Sequence, residues 1–277
     1  MFFSFQICIG QENEFPTKCS CNKGITIHDL TDSLGIRIEN LDNVHDVYFK
    51  GKRYSGLVRI CENDKLYKLT EYKNGVLDGT SYSAHNGILF SKTIFKNGII
   101  QENYSYFPNG QIKFKGSYLQ GERNGQWIRF FEDGTIYQIE SYIKDVIQSR
   151  FVYFENGFLQ EVNFYENNLP SGSWLFFHEN GSLIELQQWL AGKKEGTWVN
   201  YYENGKIAVE ENYKNDKKDG LFISYFENGQ VKEQGLNLKG LLEGQMFEYF
   251  QDGTRKLEAV FEKGVMISCK GQCDELN

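Results

Sequence analysis

The chain has 277 residues, a formal charge of −7 and a pI near 5.3, and 16% of its residues are aromatic. This acidity lacks the basic footprint that phosphate backbones and anionic headgroups require, which argues against nucleic acid and against lipid binding. The 22 Phe, 17 Tyr and 28 Gly, set against 3 Pro and 3 Met, suit strands joined by glycine turns.

Residues 1–33 form an N-terminal segment. Its start, Met1-Phe2-Phe3-Ser4-Phe5-Gln6-Ile7-Cys8-Ile9-Gly10-Gln11, has two readings. It resembles the apolar core and small-residue end of a secretory signal that lacks its basic leader, the first basic residue being Lys18. It also reads as a hydrophobic first strand, and both readings stay open. No run approaches the ~18 apolar residues that span a bilayer. Cys8, Cys19 and Cys21 lie at this end, Cys269 and Cys273 at the other. Cys-x-Cys and Cys-x3-Cys could suggest a split zinc site, but a long repeat array separates the two pairs. Bridging within each terminal segment, or free thiols, fits better.

From about 34 to 264 the chain repeats with a period near 24. An Asn-Gly or Asp-Gly turn recurs with its glycine at 87, 110, 134, 157, 181, 205, 229 and 253, in steps of 23 or 24. Degenerate copies fall in phase at Glu39-Asn40-Leu41 and Glu62-Asn63-Asp64. A second turn lies between these, as at Asn74-Gly75, Asn97-Gly98, Gln120-Gly121, Ala191-Gly192, Asn215-Asp216, Lys239-Gly240 and Lys263-Gly264. Two turns per period leave two strands of ordinary length, so each repeat is a hairpin joined to the next. At the first turn, Phe107-Pro108-Asn109-Gly110 excludes a two-residue type I′ loop, in which Pro108 would have to donate a ladder bond. A type I turn followed by a left-handed glycine bulge fits, and the Glu-Asn-Gly copies fit it as well. The expected fold is all-β, an elongated array of hairpins forming one long, twisted antiparallel meander sheet. Residues 265–277 form a C-terminal cap or tail.

Aromatics recur in phase with the turn. The seventh residue before the glycine is large at Trp127, Trp174, Trp198, Phe222 and Met246, and the eighth after it is aromatic at Tyr118, Tyr142, Tyr165, Trp189 and Tyr213. The third and fourth before it are a pair, as in Tyr201-Tyr202, and adjacent strand residues point to opposite faces. Both faces therefore carry aromatic columns, mostly as the repeat's own packing. A single-layer sheet leaves some of them for recognition, and Tyr153, Phe177, Tyr201, Tyr225 and Tyr249 are the candidate partner-binding face. Cys61 takes the third-before place of its copy and reads as a small core residue.

The unit Gly196-Thr197-Trp198-Val199-Asn200-Tyr201-Tyr202-Glu203-Asn204-Gly205-Lys206-Ile207, followed by Tyr213-Lys214-Asn215, resembles the MORN repeat variant of bacterial YwqK-type antitoxin repeat proteins. The resemblance runs from about 34 to 264 and is clean from about 103. It implies an elongated β-sheet array and protein–protein contacts.

Chemistry-bearing motifs are absent. His28, His45, His85 and His178 are scattered without metal-ligand spacing, and there is no nucleophile elbow, zinc-protease motif or phosphate loop. No cofactor is expected. The expectation is a non-enzymatic scaffold that binds another protein, as a periplasmic or cell-surface subunit of a bacterial assembly. The alternative, carried by the family resemblance alone, is an antitoxin or immunity protein that neutralises a cognate toxin. The corresponding location is the periplasm or cell envelope, with the cytoplasm as the alternative.

Overall fold

The computed structural model describes residues 6–8, 30–31, 48–49, 52–62 and 65–273, all of them strand, turn or connecting chain, with no helix among them. The signal-like start as a whole, Cys19, Cys21, His28, His45 and the Cys61 side chain lie outside the described residues. The chain divides into two units, Met1–Ile136 with Tyr142–Asp145, and Tyr137–Ser141 with Val146–Asn277.

In the first unit, strands Gly56–Glu62, Lys65–Lys73, Val76–His85, Ile88–Lys96, Ile99–Tyr106, Ile112–Leu119 and Glu122–Phe130 pair antiparallel, each with the next. Gln6–Cys8 pairs with Gly56–Glu62, and a short separate sheet joins Leu30–Thr31, Tyr48–Phe49 and Lys52–Arg53. In the second unit the same meander runs from Val146–Tyr153 and Leu159–Glu166 through Gly172–Phe177, Leu183–Leu190, Gly196–Tyr201 and Ile207–Lys214. It continues through Gly220–Tyr225, Val231–Leu238, Gly244–Tyr249 and Arg255–Glu262 to Val265–Gly271. The chain is all-β, an antiparallel meander of consecutive hairpins.

The turns hold each hairpin in register. At Tyr202-Glu203-Asn204-Gly205-Lys206, the Gly205 N–H donates to the Tyr202 carbonyl at 2.9 Å, and the Tyr202 N–H donates to Lys206 at 2.8 Å. Gly205 has φ +80°, while Asn204 stays out of the left-handed region. This is the type I turn with a glycine bulge that Pro108 demanded, and it recurs at Gly110, Gly134, Gly157, Gly181, Gly229 and Gly253. The copy at His85-Asn86-Gly87 differs. Asn86 is itself left-handed at φ +52°, and His85 pairs directly with Ile88, so the loop is a two-residue type I′ turn. This copy escapes the proline constraint, because His85 has the N–H that Pro108 lacks. The second turns are type I′ as well, even where the first loop residue is Gln120, Ala191, Lys239 or Lys263.

Both turn edges are stitched from repeat to repeat. Asn109, Asn156, Asn204 and Asn228 each accept the N–H two residues on through Oδ1. Each also donates through Nδ2 to a carbonyl 23 residues on. At the other edge, Asp145, Asn168 and Asp216 accept backbone N–H groups of Arg123, Ile147 and Lys194 in the preceding repeat. At the C-terminus Cys269 and Cys273 form a disulfide with Cα atoms 6.0 Å apart, a bridge within one terminal segment.

Candidate interaction surface

Strand alternation sends the two aromatic series of the second unit to opposite faces. On one face the rings of Tyr165, Trp174, Trp189, Trp198 and Tyr213 follow one another at centroid separations of 5.3, 5.5, 5.3 and 5.1 Å. Tilted pairs at this spacing contribute about 0.5–1.5 kcal/mol each beyond area burial. Trp174 and Trp198 each donate their indole N–H to a carbonyl ten residues back, at 2.8 and 3.0 Å, as Trp127 does in the first unit. Lys194 Nζ sits 3.9 Å from the Trp198 ring centroid. Burial, followed by the hydrogen bond to Glu211, pushes the Tyr213 hydroxyl pKa up, and Lys218 pairs with the same carboxylate at 2.5 Å. Trp198 is 7% exposed. The rings pack on one another, and the indole N–H groups of Trp174, Trp189 and Trp198 are all satisfied.

The column changes at its ends. Arg150 takes the tryptophan slot in its repeat, 3.8 Å from Glu161. Its ladder partner Asn163 is 1% exposed and lacks any hydrogen-bond partner for its side-chain amide. Toward the C-terminus Phe222 faces Gly235, where an added Cβ would come within 2.7 Å of the phenyl ring. Glycine there is what lets a ring cross the strand.

The opposite face carries the candidate residues. Tyr153, Phe177, Tyr201, Tyr225 and Tyr249 each close the incoming strand, opposite Leu159, Leu183, Ile207, Val231 and Arg255 respectively. They share one register position, one per repeat, and all five are half-buried. The Tyr249 hydroxyl accepts from Gln234 at 3.1 Å, while burial and then the charge of Glu210 raise the Tyr225 pKa. The structure thus aligns the five as a stripe.

Beside this stripe lies a more open apolar area that the aromatic periodicity does not show. Leu221 and Leu236 are directly paired and are 62% and 37% exposed. With Ile223, Gln234, Gln245 and Phe247 they line a shallow hollow of about 240 Å³. The sequence signal is the residue after the glycine that opens the incoming strand (Gly172, Gly196, Gly220 or Gly244), which is Ser173, Thr197 and Gln245 in other repeats but Leu221 here. Charge on this stretch is internally compensated, since Arg255 pairs with Glu258 at 2.9 Å and lies 4.8 Å from the Phe247 ring centroid. Among the described residues no group of His, Cys, Asp and Glu could hold a metal ion.

Similar solved structures are components of far larger chains. They include TcdB2-TccC3-TEV, with 12% identity over 75% of this chain and 14% of that one and a TM-score of 0.19. The Tc holotoxin pore of Photorhabdus luminescens matches at 12% identity over 76% and 13%, with a TM-score of 0.20. TcdB2-TccC3 matches at 11% identity over 87% and 16%, with a TM-score of 0.20. The chain therefore spans about one seventh of these proteins, and at such TM-scores the likeness says nothing about function. No curated protein matches the sequence. The family model of the MORN repeat variant matches residues 102–120, 123–144, 194–215 and 218–237. These segments carry the two-turn hairpin, the indole bonds of Trp127 and Trp198 and the asparagine stitch between repeats. Over these four segments the chain carries repeats of the MORN variant.

Proposed function

We propose that this chain is a non-enzymatic scaffold, and that it takes up a protein partner on the sheet face opposite the tryptophan column. The observation that carries the reading is the asymmetry of the second unit. One face is closed ring on ring, while the other presents Tyr201, Tyr225 and Tyr249 beside exposed Leu221 and Leu236. Side chains with apolar bodies and few uncompensated charges suit the core of a protein–protein interface. MORN-variant repeats supply extended surface, and stacked repeats work by presenting it. The net charge of −7 gives no support to phosphate-bearing ligands. A place in the cell envelope as part of a bacterial assembly belongs to the same proposal.

The test is quantitative affinity capture from the native source, comparing wild type with the Tyr201→Ala, Tyr225→Ala, Tyr249→Ala triple variant and with Leu221→Asp. A partner retained by wild type and lost from both folded variants is the expected result. Undiminished capture by the folded variants would remove this face, and a wild type that retains no protein would remove the scaffold reading itself.

A further inference from the structure

The repeat places asparagine before glycine nine times. This is the dipeptide most open to spontaneous deamidation, because a glycine nitrogen is not shielded by a Cβ. In that reaction the glycine amide nitrogen bonds to the asparagine Cγ, and the Cγ–Nδ2 bond breaks. Nδ2 leaves as ammonia, carrying the proton that the glycine nitrogen gives up. Water then opens the resulting succinimide at either carbonyl, giving aspartate or isoaspartate, with no change of oxidation state.

We propose that Asn86 is the modification site of the array, and that the hydrogen bonds of the repeat protect its other asparagines. In the turns of Asn109, Asn156, Asn204 and Asn228 the amide is held at both ends. Oδ1 accepts at 2.9, 3.0, 2.9 and 2.9 Å. Nδ2 donates at 3.2, 2.8, 3.2 and 3.3 Å. The attacking nitrogen is engaged as well, since Gly110, Gly157, Gly205 and Gly229 donate to the carbonyl three residues back. Turning Cγ toward that nitrogen breaks all three bonds.

Asn180 and Asn124 are intermediate, held through Oδ1 by Ser182 and by the Lys144 N–H. Asn74 and Asn97 sit in two-residue turns, and there Gly75 and Gly98 give their N–H to the preceding repeat at 2.6 Å. Asn86-Gly87 is the exception. The Asn86 side chain is exposed, and neither its amide nor the Gly87 N–H has a hydrogen-bond partner among the described residues. Nothing has to break before the nitrogen attacks. The products add a carboxylate, and isoaspartate adds a methylene to the main chain of a loop held by the His85–Ile88 pair.

The experiment is timed incubation of the folded full chain at mildly alkaline pH, followed by peptide mass mapping with enzymatic isoaspartate labelling. Asn86 should convert first, with Asn204 and Asn228 on the order of 100-fold slower, the rate factor for breaking three ordinary hydrogen bonds. In urea the order should collapse, and Asn86→Gln should remove the fast phase. Equal rates at Asn86 and Asn204 in the folded chain would overturn the proposal. So would an order that survives unfolding, because it would then owe nothing to the turns.

Discussion

Gly205 and Ala191 both lie in the left-handed region, at φ +80° and +47°, and only the first is suited to it. A Cβ added at Gly205 would meet nothing within 4 Å, so its cost there is purely that of the backbone. Gly205→Ala should lower the unfolding free energy by about 1 kcal/mol. At Ala191 the strain is already present, in the first position of a type I′ turn where asparagine is favoured. Ala191→Asn should therefore raise stability by about 0.5–1 kcal/mol. Denaturant midpoints that move in opposite directions at constant slope would bear this out. Midpoints that move together would mean that the two turn types are misassigned.

A strand position that is buried in one repeat and acidic in the next creates a different tension. Glu233 lies on the ring-bearing face, paired across strands with Ser224 on one side and Glu248 on the other. Burial, followed by the charge of Glu248, raises its pKa above the ordinary carboxylate value of 4.5, against the weaker opposing influence of Lys232 and Lys218. Glu248 is itself committed to Lys256 at 3.0 Å. A raised folded-state pKa means that the folded chain holds this proton more tightly than the unfolded one. Ionised Glu233 therefore costs stability at neutral pH, and that cost fades as pH falls through the folded value toward 4.5. Glu233→Gln should stabilise the protein at pH 7, with the gain shrinking as the solution is acidified. Thermal melts of both proteins across that range decide it. A gain that is constant with pH would mean that the buried charge of Glu233 is not its source.

At the scale of the molecule, the repeat and its hairpins are legible because the turn demands glycine at a fixed step, and because aromatic spacing follows strand alternation. The type I turn could be derived because Pro108 removes one donor. The type I′ form of the second turns was not legible at Ala191 or Lys239, where the ladder imposes the conformation on residues that do not prefer it. The Tyr153-to-Tyr249 stripe was readable from periodicity, whereas the Leu221–Leu236 area was not, because it breaks the period. The stitching asparagines looked like turn formers alone, since a bond to a carbonyl 23 residues away has no local signal. Every such bond joins one repeat to the next, as do the Tyr165–Trp174 and Trp189–Trp198 ring contacts, while Trp174–Trp189 and Trp198–Tyr213 close single hairpins, so stability should be a sum of repeat and neighbour terms. Removing the Trp198 ring deletes its contacts with Trp189 and Tyr213 and its bond to Gln188. Trp198→Ala should then cost about 3 kcal/mol locally. In native-state hydrogen exchange the amides of Gly172–Phe177, Leu183–Leu190 and Ile207–Lys214 should lose protection first. Those of Lys65–Lys73 and Val76–His85 should keep their wild-type rates. A uniform loss across both sets would show the chain unfolding as one cooperative block, and neighbour-by-neighbour stabilisation would have to be given up.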